Sequence, residues 1–429
     1  MQRYHDWLEL SECLGPRSML FRPLIEAFGS PDRILGARES EIRHVLPDVS
    51  DALLDRLLRR HKRERAAKIA AYCERAGVQI LAYGDDTYPA ALRELPDPPV
   101  LLYCRGTLPD FEQYATVGVV GPRLADAYGE AVAYKLSFEL SAAGVVIVNG
   151  MADGVDGVAL AGAIAAGGSV VAVLGCGIDV TYPKHHDKLL AECVECGAVI
   201  TEYAPGTPPN GYNFPVRNRL ISALSRVVLV VQGNERSGAL ITARYAISQG
   251  TPLFAVPGNI TSPLSAGSNM LLQMGAQPAL ASMDVLYPLL PQFHRTLTPS
   301  LIKEAEQYAY PVPEMFKRFG LRSAAEKEKR EKRRRERAQK SLAQTERSLA
   351  RASGRGEASN GSPASREAPD LGMLTPEQRK IYDVLPEGAF SVDDVTARGV
   401  PVSKAIGTLT IFEVYGLLGA LPGGLYEKK

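Results

Sequence analysis

This sequence has few cysteines, no long apolar run and no apolar N-terminal segment, and each of these limits the class of protein it can be. Six cysteines are scattered over 429 residues, which is no disulfide framework and fits a reducing compartment. No apolar run reaches about eighteen residues, so no membrane-spanning helix is predicted. The first residues, M-Q-R-Y-H-D-W, contain no apolar signal region. We therefore expect a cytoplasmic protein with no membrane partner.

Excess charge is also missing, because the formal net charge is only +1. Any attraction for nucleic acid must therefore come from basic residues clustered locally. Hydrophobic residues make up 45% of the chain, which is enough to form a core. The length predicts two to four domains.

The hydrophobic pattern divides the chain into four segments. Residues 1–76 show helical spacing and are predicted to form a small helical domain. In residues 77–290, valine-rich apolar runs alternate with helical stretches, which predicts an α/β fold with a doubly wound, mostly parallel, Rossmann-like sheet. Residues 291–372 are predicted to be a charged helix and a disordered linker. Residues 373–429 show short amphipathic helices and a small β-wing, a winged-helix pattern.

The loops that follow the strands are the candidate binding site, because open α/β sheets bind ligands at the carboxyl ends of their strands. Glycines there admit a phosphate to backbone N–H groups, helix N-termini favour anions, and arginine grips two phosphate oxygens. The candidate binding residues in these loops are Gly121, Arg123, Gly150, Lys184, Asn213, Phe214, Arg217, Asn218, Arg219, Arg236, Ser237 and Gly238.

Charge placement favours this edge of the sheet. Residues 116–290 contain nine Lys or Arg and twelve Asp or Glu, yet five of the basic residues fall in these loops. Phe214 stands among them, and a single strand needs both cations for its backbone and a flat face for a base. The same residues also allow a structural interpretation, in which Phe214 is a core side chain and Arg217 and Arg219 pair with Glu202 and Glu235.

The motifs of residues 78–290 are specific in combination. They include D-D-T-Y-P-A-A-L-R-E-L-P-D-P-P-V-L-L, V-G-V-V-G-P-R, G-M-A-D-G-V-D, V-L-G-C-G-I-D-V-T-Y-P, E-Y-A-P-G-T-P-P, N-F-P-V-R-N-R-L-I and E-R-S-G-A-L-I-T-A-R-Y-A. With these motifs the segment closely resembles the DNA-processing protein A family, DprA or Smf. The helical N-terminal segment resembles that family's sterile-alpha-motif-like or helix-hairpin-helix-like domain, and the last segment resembles its winged helix.

The resemblance implies a function. Such a protein binds and protects single-stranded DNA and loads RecA recombinase onto it, in natural transformation and in repair. A homodimer is implied, with single-strand-binding protein as a further partner. Arg123 would contact a DNA phosphate, and Phe214, Arg217 and Arg219 would line the same pocket.

The sequence departs from the family pattern at a few positions. Pro122 replaces the usual Ser or Thr, Leu160 a common histidine, and His186 a common asparagine. Asp126 stands where Ser or Thr is common, and an acid on a phosphate path would repel it. The basic run at 317–340 is longer than usual, and it either attracts DNA in a salt-sensitive way or is a solvated charged helix.

A nucleotide-processing enzyme of the phosphoribohydrolase type is the alternative function. It needs P-G-G-x-G-T followed by a glutamate, whereas this chain has R-S-G-A-L-I-T and no matching glutamate. Arg123 occupies the second glycine position of G-x-G-x-x-G, and no Walker lysine motif is present. We therefore predict no catalytic residue, no cofactor and no enzyme.

Two other groups of residues allow competing interpretations. His185, His186, Cys193 and Cys196 could supply four metal ligands, but both cysteines are expected on one helix packed against the sheet, so no metal site is predicted. The last segment carries four basic and six acidic residues between 373 and 426, which favours protein contact over groove reading. An accessory DNA contact is assigned to the basic residues Arg59, Arg60, Lys62 and Arg63, which equally suit a solvated helix face.

Overall fold

The structure is a computed structural model that describes most of the first 330 residues and parts of the C-terminal region. The described residues are 2–58, 62–307, 312–327, 329–330, 332–333, 374, 376–396, 398, 400, 408–409, 412, 417–421 and 425–428. The chain divides into two compact units, Met1–Ala338 and Gln339–Lys429.

The first unit begins with the predicted helical segment. Its helices are α1 (His5–Leu14), α2 (Phe21–Phe28), α3 (Pro31–Gly36), α4 (Glu39–Val45), α5 (Asp51–Leu58) and α6 (Arg63–Ala76). Apolar side chains repeat every three or four residues along them and meet in a small core that includes Leu10, Phe21, Leu24 and Leu54. Two ends are marked by left-handed glycines, Gly29 after α2 and Gly77 after α6.

A nine-stranded sheet forms the centre of this unit. The strands are β1 (Gln79–Ala82), β2 (Leu101–Gly106), β3 (Thr116–Val120), β4 (Val146–Asn149), β5 (Val170–Val173), β6 (Ala198–Thr201), β7 (Val227–Val230), β8 (Leu253–Ala255) and β9 (Gln277–Pro278). Their spatial order is β1-β2-β6-β5-β4-β3-β7-β8-β9. The pairs β1–β2 and β2–β6 are antiparallel, and all other pairs are parallel. The predicted mostly parallel sheet is confirmed.

Helices cover both faces of the sheet. They are α7 (Ala90–Arg93), α8 (Ala127–Ala142), α9 (Val155–Ala165), α10 (Asp187–Cys196), α11 (Asn213–Ala223), α12 (Gly238–Gln249), α13 (Ala266–Gln273) and α14 (Ser282–Leu286). Side chains alternate between two cores: Val119 is buried in the same core as Leu136 of α8, and Val120 is buried in the other core, with Leu240 of α12. No helix in the described part of the chain is long and apolar enough to cross a membrane.

The direction of the chain reverses at β3. Strands β4, β5 and β6 extend from one side of β3, and the chain then returns to place β7, β8 and β9 on the other side. A crevice opens where the loops leaving neighbouring strands turn in opposite directions, and ligands bind at such switch points. The sheet order therefore identifies the carboxyl ends of β3 and its neighbours as the place to look for a site.

The first unit extends past the predicted boundary at residue 290. Helices α15 (Leu290–Phe293), α16 (Ser300–Ala305) and α17 (Val312–Phe319) follow it. Phe293, Ile302 and Phe319 are buried in the same core as the sheet. The linker prediction started too early, because the basic run that suggested it begins only at residue 317.

The second unit is described in part. It contains α18 (Pro376–Asp383), α19 (Val392–Thr396) and an antiparallel pair, β10 (Leu418–Leu421) with β11 (Leu425–Lys428). Phe390, Val395 and Phe412 are buried in a core of their own. Most of residues 401–416 lie outside the described part of the chain, so the winged helix stays a prediction.

Candidate nucleic-acid interface

A cleft of about 690 Å³ lies at the predicted edge of the sheet. Its walls come from the loops after β3, β4, β5, β6 and β7, from one face of α11 and from the start of α12. The described charged residues that line it are three arginines and one aspartate: Arg123, Arg217, Arg236 and Asp156. The cleft is thus locally basic in a segment that carries more acidic than basic residues, and it suits an anionic ligand.

Arg123 and two aromatic rings form one wall. The Arg123 Cζ lies 4.8 Å from the centroid of the Phe214 ring and 5.8 Å from that of Tyr182. The two rings are 5.1 Å apart and tilted by 32°, and Arg123 Nη1 donates to the Tyr182 hydroxyl at 3.4 Å. The wall therefore presents an exposed cation beside half-buried aromatic surface, the combination that binds a phosphate and an unstacked base.

Arg217 forms the floor and is only 3% exposed. Its Nη1 donates to the carbonyl oxygens of Gly150, at 2.8 Å, and Val173. Burial lowers the pKa of Arg217 to about 10, although the nearby Asp156 carboxylate opposes this shift. Burial also raises the pKa of Asp156, which is 7% exposed and accepts from the backbone N–H groups of Gly150 and Ala152. Arg217 remains charged near neutral pH and fixes a positive charge beneath the cleft.

The N-terminus of α12 closes the opposite side. Ser237 is the N-cap residue, and its Oγ accepts from the backbone N–H of Ala239 at 3.3 Å. Asn218 of α11 reaches across to the same turn, where its Nδ2 donates to the Gly238 carbonyl oxygen at 3.4 Å. Arg236 is exposed just before the helix. A helix N-terminus beside an arginine adds a second group of donors for an anion.

The structure brings together eight of the predicted site residues as cleft-lining groups. These are Gly121, Arg123, Phe214, Arg217, Asn218, Arg236, Ser237 and Gly238. The predicted loop that contains Phe214 is in fact the first turn of α11. Its side chains at 214, 217, 218 and 221 share one helical face at spacings of three and four residues, and that face lines the cleft.

Arg219 corrects the prediction that it lines the same pocket. Its side chain is 1% exposed and lies on the other side of α11. Its Nε is 3.2 Å from Asp97 Oδ2, and its Nη2 is 2.7 Å from Glu202 Oε2. Arg219 therefore pairs with Glu202, as the structural alternative for this residue proposed. We exclude Arg219 from the candidate site.

Three other predicted residues do not line the cleft. Gly150 lies behind the floor, where a side chain would collide with the Arg217 guanidinium. Asn213 begins α11, and its carbonyl oxygen accepts from the Tyr203 hydroxyl at 3.2 Å. Lys184 is exposed in a short 3₁₀ turn, Lys184–His186. Gly150 and Asn213 thus support the cleft from behind rather than form its surface.

The accessory basic segment is only partly described. Arg59 and Arg60 lie outside the described residues, so their DNA contact stays a prediction. Lys62 precedes α6 and Arg63 is its exposed first residue. Arg63 shares a small surface pocket with Asp6 and Glu9, so acidic neighbours reduce the local positive charge there.

Asp126 does not oppose an anion in the way the sequence suggested. It is the N-cap residue of α8, and its Oδ1 accepts from the Gly129 backbone N–H at 2.8 Å and from Gln232 Nε2 at 3.0 Å. Both donors bind Oδ1, and Asp126 is not among the described cleft-lining residues. An aspartate at this position caps a helix, as Ser or Thr would.

In the long basic run, two described residues pair with acids. Arg318 Nη2 lies 3.3 Å from Glu192, and the buried Lys327 Nζ lies 2.8 Å from Glu130. Most of residues 328–340 lie outside the described part of the chain.

Tyr182 lines the cleft but was not among the predicted site residues. Its Tyr-Pro motif follows the glycine loop after the third strand of the parallel series and could have suggested it.

A doubly wound, mostly parallel sheet with an arginine-lined cleft at its switch point defines a Rossmann-like protein. The model of the family DNA recombination-mediator protein A matches residues 79–289. The DNA processing protein DprA of Bacillus subtilis (strain 168) is 38% identical over 221 residues, 52% of this chain and 74% of the relative. DprA of Streptococcus pneumoniae (R6) is 41% identical over 206 residues, 47% of this chain and 71% of the relative. This chain belongs to the DNA recombination-mediator protein A family.

A solved structure agrees with this assignment. The X-ray structure of DprA from Streptococcus pneumoniae aligns with a TM-score of 0.58 and 31% sequence identity. The alignment covers 67% of this chain and 98% of that one. The fold and the family thus agree with the resemblance found in the motifs.

Proposed function

We propose that this chain binds single-stranded DNA in the cleft and acts as a recombination mediator. Family membership supports a role in DNA processing. The observation that carries the binding proposal is the Arg123 guanidinium, 4.8 Å from the Phe214 ring in a cleft lined by three arginines. Cations next to aromatic faces bind the backbone and the bases of an unpaired strand.

Different walls of the cleft would bind different parts of the DNA strand. Arg123, Arg236 and the N-terminus of α12 bind phosphates, and Phe214 with Tyr182 stacks against a base. In a duplex the bases are already stacked and cannot reach these rings, so the single strand is preferred. Phosphate contacts and stacking carry no base-edge pattern, and binding is therefore expected to be independent of sequence.

The proposed cellular role follows from membership of the family. The bound chain protects the strand and loads RecA recombinase onto it in the cytoplasm, during natural transformation or repair. It acts as a homodimer and meets single-strand-binding protein on the same DNA. Filament assembly of RecA on strands coated with single-strand-binding protein tests this step, and assembly no faster with this protein than without it would remove RecA from the proposal.

We propose binding rather than catalysis. Among the described residues lining the cleft, Asp156 is the carboxylate, and two backbone N–H groups hold it in a buried position. The loop after β7 contributes Arg236, Ser237 and Gly238 and no carboxylate to the lining. A nucleotide hydrolase would need an acid or base free to reach its substrate. Release of free base from nucleoside monophosphates would favour the enzyme alternative.

Binding of a labelled oligothymidine, measured by fluorescence anisotropy over a KCl series, tests the cleft. Arg123→Ala is expected to weaken binding about tenfold, because it removes both a phosphate contact and the cation beside Phe214. The slope of log K against log salt should fall by about 0.7, the value for one phosphate contact on a single strand. The wild type should bind the matching duplex more weakly.

Arg244→Ala is the matched control. Arg244 is an exposed arginine of α12 that does not line the cleft, so its loss changes net charge equally while leaving the site intact. Equal losses in the two variants would show that general charge, and not the cleft, binds the strand.

A further inference from the structure

A second cluster of chemically reactive side chains lies beside the cleft. The loop after β4 carries Asp153, and the 3₁₀ turn Lys184–His186 carries two adjacent histidines. One carboxylate oxygen and one ring nitrogen from each histidine all lie within 4.8 Å of one another. Cys193, which the sequence had grouped with the histidines, is instead buried in α10 against the sheet. The candidate metal ligands that the fold brings together are therefore the two histidines and Asp153.

His186 is the most informative member, because it is 1% exposed and has an unsatisfied nitrogen. Its Nδ1 is 3.2 Å from the Met151 carbonyl oxygen. A carbonyl oxygen only accepts, so Nδ1 carries the hydrogen and donates it. Nε2 finds no hydrogen-bond partner among the described residues. A buried polar atom without a partner is costly, and a metal ion would satisfy it.

The hydrogen bond to Met151 also prepares His186 as a ligand. Metal-bound histidines usually donate their other ring nitrogen to a carbonyl or carboxylate, which fixes the tautomer and the ring orientation. The ring lies close to Gly157 of α9, where an added Cβ would be only 3.0 Å from His186 Cε1. His186 Nε2 lies 3.8 Å from Asp153 Oδ1.

His185 and Asp153 complete the cluster on its more open side. His185 Nε2 lies 2.9 Å from Asp153 Oδ1. The side chains of His185 and Asp153 are 18% and 29% exposed, so an ion can enter from solvent. The two imidazole rings meet edge to face, with centroids 4.6 Å apart.

We propose that Asp153, His185 and His186 bind a zinc ion. Zinc bonds of about 2.0–2.2 Å in a tetrahedron place the ligand atoms roughly 3.3–3.5 Å apart. The two separations from Asp153 Oδ1, 2.9 Å and 3.8 Å, bracket that value, and the two histidine nitrogens lie within 4.8 Å of each other. Closing the site would require the two imidazole rings to approach each other around the ion. Two imidazoles and one carboxylate suit zinc better than magnesium or calcium, which prefer oxygen. A water molecule fills the fourth position.

Zinc would join two segments that border the DNA cleft. Ala152, next to Asp153, and Tyr182, in the segment before the histidines, both line that cleft. The ion would take the place of the hydrogen bond between His185 and Asp153. Coordination would then link the loop after β4 to the 3₁₀ turn. The proposal rests on this geometry and does not depend on DNA binding.

Zinc titration of the full chain, untagged and stripped with a chelator, tests the site. In competition with a chromophoric chelator, the wild type is expected to bind one zinc ion per chain. Loss of a group that only orients a ligand weakens metal binding about 10- to 100-fold, so Asp153→Asn and His185→Asn should each cost at least tenfold. Both positions are partly exposed, and the metal-free variants should melt at the wild-type temperature.

Two controls separate this site from other ligands. His44→Asn removes an exposed histidine of α4, and Cys196→Ser removes the partly exposed thiol of α10; neither should change zinc affinity. Unchanged affinity in Asp153→Asn and His185→Asn, or no saturable binding by the wild type, overturns the proposal.

Cobalt substitution of the wild type decides the matter should a variant misfold. A four-coordinate site with nitrogen and oxygen ligands gives strong d–d absorption without a thiolate charge-transfer band. A thiolate band, or the weak absorption of six-coordinate cobalt, would contradict the assignment.

Discussion

Arg217 and Arg219 occupy the same helix, are both buried, and serve different regions of the molecule. Two residues on a helix of about 100° per residue point about 200° apart. Arg217 faces the cleft, where its guanidinium donates to backbone carbonyls and positive charge is in excess. Arg219 faces the interior, where Asp97 and Glu202 neutralise it and Arg17 also contacts Asp97 at 3.1 Å.

This comparison shows that burial alone does not reveal what an arginine does. In the interior cluster two arginines meet two carboxylates, and the charges balance. In the cleft three arginines meet one aspartate, and the remaining charge is available to a ligand. The balance of charge around each guanidinium distinguishes Arg219, whose charge is neutralised by carboxylates, from Arg217, which lies where arginines outnumber carboxylates.

The largest expected effect is on the interior cluster. Arg219→Met should lower the free energy of unfolding by about 3–5 kcal/mol, because it leaves Glu202 and Asp97 buried without their partner. Arg226→Met is the matched control, since Arg226 pairs at 3.0 Å with the exposed Glu112 and such pairs contribute about 1 kcal/mol or less. Urea denaturation measures both, and similar losses would erase the distinction between the two kinds of pair.

A smaller effect is expected in the cleft, at Phe214. Phe214→Leu should weaken single-strand binding by about 1–3 kcal/mol, the contribution of one stacked base. The salt dependence should stay as in the wild type, because no phosphate contact is lost, and this separates Phe214 from Arg123.

Phe111→Leu controls for the loss of an aromatic ring. Phe111 is also half-buried and lines a different surface pocket. Anisotropy titrations at several salt concentrations compare the variants. A shallower salt slope for Phe214→Leu would mean that the ring positions Arg123 instead of stacking on a base.

The smallest effect concerns two cysteines three residues apart on α10. Burial raises the pKa of the Cys193 thiol far above its ordinary value, whereas Cys196 is partly exposed and its pKa is raised less. Since the thiolate is the reactive form, iodoacetamide at about pH 8 should label Cys196 first and leave Cys193 unlabelled until the protein unfolds. Peptide mass spectrometry with time reads this order, and equal labelling rates would contradict it.

Much of the fold could be predicted because buried parallel strands are short, continuous apolar runs. The runs beginning at Thr116, Val145 and Ser169 each became a strand. The same signal could not give strand direction, so the antiparallel pairing of β1 and β2 at the edge was not foreseen. The extension past residue 290 was missed because short helices with prolines lack a long periodic pattern.

The site could be predicted as far as the loops were concerned. Gly121 and Arg123 come just after β3, and Arg236 and Gly238 lie in the loop after β7 and at the start of α12, so the strand order places all four at this edge of the sheet. Arg219 was misplaced because residues 213–219 were read as a loop, in which neighbours can share a direction. Read as a helix, the spacing of Phe214, Arg217 and Asn218 already separates them from Arg219.

The helices that follow residue 290 have a practical consequence for making fragments of this protein. The family match ends at 289, which invites truncation of the chain at that residue. The resulting fragment would uncover the sheet-side surface now protected by Phe293, Ile302, Phe316 and Phe319. A contiguous apolar patch of this kind promotes aggregation. A fragment that retains α17 keeps its own cover, and crystallisation or binding work on the first unit should begin from that boundary.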